Sequence, residues 1–207
     1  RPANYTKKFY GPSTMRLGIE KSRNLMTVRL AQTIGMDKVA IYAKRFGIVD
    51  RLPETLAMSL GAGETTLMRL TTAYAMLVNG GKRITPTLID RIQDRNGRTV
   101  FRHDQRQCVK CRAEFWTRQP PPEQPDTRDQ MTNPGSAYQT VAMLEGVVKR
   151  GTGRRIAAVG KPLAGKTGTT NQERDTWFMG FSPDLAVGVF AGFDTPIPLG
   201  RRETGSS

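Results

Sequence analysis

The chain has 207 residues, 37% of them hydrophobic, enough to bury one core or slightly more and too apolar for wholesale disorder. Its longest nearly unbroken apolar run, Leu185 to Phe193, is far shorter than the ~20 residues of a bilayer-spanning helix, so no transmembrane helix is expected. Lys and Arg outnumber Asp and Glu by 32 to 18, yet they are scattered and accompany no nucleic-acid motif, so a basic binding module is only an alternative and no nucleic-acid partner is expected.

Arg1-Pro2-Ala3-Asn4 lacks a starting Met and a secretory leader pattern, and Glu203 to Ser207 stops in turn-forming residues, so both ends read as cut from a longer chain. Between Ser22 and Gly47 apolar residues at helical spacing (Leu25, Val28, Leu30, then Val39, Tyr42, Ala43, Phe46) predict two short helices stopped by Gly35 and Gly47. From Thr65 the pattern Leu67, Leu70, Ala73, Tyr74, Leu77 predicts an amphipathic helix closed by Asn79-Gly80-Gly81. Thr87 to Ile92 and Arg98 to Phe101 are β-prone and flank Asn96-Gly97, a dipeptide suited to a hairpin turn of positive φ.

Cys108 and Cys111 form a lone CxxC, and His103 is the single histidine. That set cannot complete a four-ligand zinc site, so no metal or cofactor is expected. A local disulfide, idle thiols or a redox dithiol are the remaining uses. Residues 119 to 130 are proline-rich and nearly without large apolar groups, which predicts a loop inside an insertion.

Helical spacing returns at Tyr138, Val141, Leu144 and Val148, between the Asn133-Pro134 start and the Gly151-Thr152-Gly153 stop. Leu163 to Thr170, Thr176 to Phe181 and Leu185 to Phe193 read as strands, the last two joined so tightly by Ser182-Pro183-Asp184 that they must be antiparallel. The expected fold class is α+β, helices packed on an antiparallel sheet. The segments are 1–84, helical; 85–130, a small β-rich insertion; and 131–207, a helix followed by strands.

Gly160 to Thr167 satisfies the string GxxxxGK[ST] of a phosphate-binding loop, which makes an NTPase the other alternative. That site needs a helix to begin at the lysine, so that its amides face the phosphates. Gly168-Thr169-Thr170-Asn171 is turn-rich and β-branched and predicts no such helix. On a strand, Lys166 and Gly168 point one way and Thr167 and Thr169 the other, and an extended ligand can pair with the strand's edge.

Ser22-Arg23-Asn24 offers a hydroxyl able to relay a proton and an amide able to donate and accept, although either side chain could instead cap the following helix. Together with Lys166-Thr167-Gly168-Thr169 this tripeptide resembles the motif set of the serine transpeptidases that penicillin inhibits, SxN and KTG. The likeness extends through Val28-Arg29-Leu30, Leu60-Gly61, Ala73-Tyr74-Ala75, Gly151-Thr152-Gly153, Asp175 to Phe181 and Gly192-Phe193-Asp194, and is similar to the bifunctional, class A branch.

The resemblance implies a β-lactamase/transpeptidase-like domain that is incomplete here. Its substrates are peptidoglycan stem peptides ending in D-Ala-D-Ala, its inhibitors are β-lactams, and it works at the periplasmic face of the bacterial inner membrane with an anchor outside this chain. It assigns proton transfer to Ser22 and Lys166. Asn24, Thr167, Gly168 and Thr169 bind substrate, with the Thr169 N–H in the oxyanion hole. Arg23 stands where many members have aspartate, and no SxxK occurs anywhere in the sequence. The nucleophilic serine is therefore expected upstream, in a missing N-terminal half of the domain. A further helix over the sheet is expected beyond the C-terminus, and the chain is expected to fold poorly alone.

Overall fold

The computed structural model describes residues 3–106, 111, 115, 117, 118, 120, 122, 125–200 and 203–206. It divides into two units, Arg1–Arg83 with Gln130–Ser207, and Ile84–Asp129.

In the first unit, helix α1 (Met15–Glu20) is one that apolar spacing does not announce. Six residues are too few to show a period, and the helix is set instead by Thr14, whose Oγ1 accepts the Leu17 N–H at 3.2 Å. Helices α2 (Asn24–Ile34) and α3 (Met36–Arg45) follow as expected, separated by Gly35 at φ +92°. Helix α4 (Leu67–Val78) starts at the Thr66 cap and buries Ala73 and Met76. Gly80 and Gly81 then turn the chain at φ +67° and +80°. Helix α5 (Pro134–Lys149) begins where Asn133 Oδ1 accepts the N–H of Gly135 at 2.8 Å, with Pro134 in the first turn.

Strands β3 (Ala164–Thr169), β4 (Asp175–Phe181) and β5 (Ala186–Gly192) form an antiparallel sheet in that order. Each lies within about a residue of its predicted ends. Ala164 pairs with Phe181, Lys166 with Met179 and Gly168 with Trp177, so these six share a face. Ala164 and Phe181 join Leu144 and Val147 of α5 in the core, and Val147 is wholly buried. Tyr74 of α4 sets its ring 6.3 Å from that of Phe181. On the opposite face Gly165 and Gly180 are partners, and the Phe178 ring lies over both: a Cβ on Gly165 would sit 2.7 Å from Phe178 Cζ. Val187 and Val189 of β5 stay about half exposed.

In the second unit, strands β1 (Arg91–Gln93) and β2 (Thr99–Arg102) pair antiparallel. The first is displaced toward the C-terminus of its predicted run, and the turn differs from the expected two-residue form. Only Gly97 has positive φ at the tip, while Asp94 Oδ1 accepts both the Asn96 and Arg98 N–H groups at 2.9 Å. The aspartate closes a longer loop and shifts the register between Ile92 and Gln93. Cys108 lies outside the described residues, as does part of the proline-rich loop.

Candidate active site

Between α1 and α2 the chain makes a tight corner in which the Ser22 N–H reaches Ile19 O at 3.1 Å and the Arg23 N–H reaches Gly18 O at 2.8 Å. Ser22 itself takes φ +50°, a left-handed conformation that costs a non-glycine residue of order 1–3 kcal/mol. The corner aims its side chain away from the helix. Neither Ser22 nor Asn24 caps α2: Arg23 occupies the cap position without a side-chain bond, and Asn24 is the first helical residue. Asn24 Nδ2 donates to Ala3 O at 3.0 Å. The Arg23 guanidinium lies 3.1 Å from the centre of the Tyr10 ring and is engaged with its aromatic face.

Lys166 extends from β3 to this corner. Its Nζ donates to Ser22 Oγ at 2.8 Å and to Thr167 O at 2.8 Å. Burial disfavours the ammonium and lowers the Lys166 pKa to about 8. The two motifs read from sequence therefore meet.

The edge of β3 is open among the described residues. The Thr170 N–H bonds inward to Asp175 O at 3.1 Å, and ladder bonds alternate along an antiparallel strand. The N–H groups of Thr167 and Thr169 consequently point outward, as does the Thr167 carbonyl that Lys166 caps. Thr167 Oγ1 lies 2.7 Å from Thr152 Oγ1, and Thr169 Oγ1 accepts the Gly205 N–H at 3.1 Å. A cavity of about 320 Å³ borders this edge, lined by Ser22, Asn24, Thr152, Thr167 and Thr169 among others. Gly168 has little room for a side chain, since a Cβ there would stand 3.2 Å from Trp177 Cβ and Trp177 would have to give way.

Hydroxyls and an amide thus surround one small cavity, the buried Lys166 amine is bonded to one of those hydroxyls, and backbone N–H groups point outward alongside, a setting for an anionic, strand-like ligand and for proton transfer beside it. A phosphate loop does not fit, because the residues after Lys166 run on in a strand paired to β4. Gly151-Thr152-Gly153 reads in sequence as a helix stop and as part of the family likeness, and neither reading assigns Thr152 to the cavity that it lines. The available signal was a hydroxyl between two glycines, a site where side chain and backbone are both exposed to a neighbour. Thr204 and Ser206, which also line the cavity, carried no sequence signal.

Residues 2–192 match the family described as the penicillin binding protein transpeptidase domain. Penicillin-binding protein 1A of Rickettsia bellii is 48% identical over 212 residues, covering 100% of this chain and 26% of its own length. The protein of that name from Pseudomonas aeruginosa is 33% identical over 246 residues, again covering 100% of this chain and 29% of its own length. The crystal structure of penicillin-binding protein 1A from Haemophilus influenzae aligns with a TM-score of 0.83 and 29% identity over 99% of this chain and 34% of that one. The chain thus spans about a quarter of the length of the Rickettsia relative. A family match over nearly all its residues, on a sheet and helices arranged as in that crystal structure, means that the chain belongs to the penicillin-binding protein transpeptidase family.

Proposed function

We propose that this chain forms the SxN- and KTG-bearing part of a serine DD-transpeptidase that cross-links peptidoglycan stem peptides through an acyl-enzyme and is acylated by β-lactams. The contact of Lys166 with Ser22 at 2.8 Å, beside an open strand edge, carries this reading. The segment order is a helical part, 1–84, an insertion, 85–130, and a sheet-bearing part, 131–207.

The attacking serine belongs to an SxxK segment outside these residues. The lysine of that segment takes the hydroxyl proton as the serine oxygen adds to the penultimate D-alanine carbonyl, and the N–H of that serine and the outward N–H of Thr169 donate to the oxyanion. One such donor contributes about 2.7–4 kcal/mol to the transition state. Ser22, held by Lys166, passes the proton to the departing D-alanine amine, and the amine of a second strand then takes the acyl group from the ester. Thr167 and Thr169 offer hydroxyls to the terminal carboxylate. Asn24 has its Nδ2 occupied by Ala3 O, which leaves Oδ1 to accept from the donor peptide. Gly168 keeps the strand flat beneath the ligand. The complete protein carries a second, glycosyltransferase activity and works at the periplasmic face of the inner membrane, anchored outside this chain.

Fluorescent penicillin tests the reading. The full-length protein is expected to take covalent label on a serine outside these residues, and the isolated 207-residue chain to take none. Label on the isolated chain would place the nucleophile within it and overturn the assignment.

A further inference from the structure

Glu20 is 4% exposed, and no step of the proposed reaction uses it. A carboxylate is strongly disfavoured inside a protein unless it is paired and hydrogen-bonded. Here the partner is Arg150, at the C-terminal end of α5, whose Nη2 and Nε meet Glu20 Oε1 and Oε2 in a fork. Two glycines make room for it. A Cβ on Gly146 would overlap the Glu20 carboxylate, and one on Gly151 would overlap the Glu20 carbonyl oxygen.

The backbone repeats the connection in both directions. The Thr152 N–H donates to Glu20 O at 3.1 Å, and Lys21 Nζ donates to Arg150 O at 2.5 Å. Glu20-Lys21 and Arg150-Gly151-Thr152 are thereby fastened by side chain and main chain alike. Each segment leads directly to one motif: Ser22, held by Lys166, follows Lys21, and the Thr152 hydroxyl lies 2.7 Å from that of Thr167.

We propose that Glu20 and Arg150 are positioning residues for acyl transfer. Their ion pair clamps the Ser22 corner to the Thr152 loop, and so sets the spacing between the proton-relaying hydroxyl and the Thr167 hydroxyl on the open strand. An ion pair suits this task better than an apolar contact, because a fork between two planar groups is satisfied in one relative orientation and an apolar contact in many. The clamp rests on the transpeptidase reading given above.

The test uses the full-length protein and fluorescent penicillin, with the second-order labelling rate constant and the final labelled fraction read separately. A purely structural lesion lowers the labelled fraction and leaves the rate constant of the folded remainder unchanged. Glu20→Gln is expected to lower the rate constant at least tenfold at an undiminished labelled fraction, and Arg150→Lys, which keeps the charge and loses the fork, to lower it by less. Thr152→Val leaves the ion pair intact, severs its link to Thr167, and is expected to lower the rate constant several-fold even if Glu20→Gln does not fold. Wild-type rate constants in both Arg150→Lys and Thr152→Val overturn the clamp, as does one in a folded Glu20→Gln protein. A wild-type protein that takes no label removes the transpeptidase reading itself, and the clamp with it.

Discussion

Lys166 and Ser22, separated by 144 positions in the chain, are joined by a hydrogen bond of 2.8 Å from Nζ to Oγ. The bond ties an edge strand to a corner between two helices, and most of the expected behaviour of this domain depends on it.

Lys166→Ala in the complete protein removes the ammonium that donates to the Ser22 hydroxyl. Acylation by a β-lactam is expected to slow by about 10²–10³-fold, the cost of losing one oriented donor in a sheltered site. Stopped-flow labelling measures it, and a wild-type rate in a folded variant would remove Lys166 from the machinery.

The same lysine sets a pH limit. Burial lowers its pKa to about 8, against about 10.4 for an ordinary lysine. The free protein holds the ammonium below that value and loses it above, so kcat/KM for acylation is expected to decline as pH rises through about 8. Stability moves the other way. Between about 8 and 10.4 the unfolded chain keeps a proton that the folded chain has released, so folding stability rises with pH across that window and is flat above it. Denaturant midpoints of wild type and Lys166→Met at pH 8 and pH 10 check the sign: only the wild type should gain.

Thr167→Val and Thr169→Val each delete a hydroxyl from the cavity with little change in shape. A hydrogen bond to a charged group contributes about 1.5–3 kcal/mol, so each is expected to weaken capture of a carboxylate-bearing β-lactam by about 10–100-fold. Removing the carboxylate from the β-lactam should erase the difference between variant and wild type, and a difference that persists would assign these hydroxyls to something else.

Leu144→Ala opens a hole beside Val147, Ala164 and Phe181. The expected loss is about 2–5 kcal/mol, read from the denaturant midpoint of the transpeptidase region. Because Ala164 is the first residue of β3, the loosened strand should also become a better target for proteases.

Much of this architecture was legible in the sequence, for identifiable reasons. Helices α2 to α5 carry apolar spacing over ten or more residues and end at Gly35, Phe46, Asn79 and Arg150, at or within a residue of a stop signal. Helix α1 is too short for a period, and the hairpin loop departs from the two-residue form because Asp94 outweighs the Asn96-Gly97 preference by bonding two backbone N–H groups. Strand β3 could be told from a phosphate loop because Thr167, Thr169 and Thr170 disfavour a helix. The meeting of Ser22 with Lys166 is different in kind. No local pattern says which distant segments touch, and only the family resemblance pointed to it. Glu20 carries no signal in the sequence: a single carboxylate before Lys21 looks like an ordinary surface charge until α5 brings Arg150 alongside.

A sheet that keeps one rim bare to receive an extended guest also offers that rim to any stray polypeptide, including another molecule of its own kind. In β3 the hazard is contained by brevity, since the strand has six residues, and by two glycines that give an intruder little to grip. The same plainness that suits the short extended ligand proposed above makes the surface a poor template for fibrous stacking.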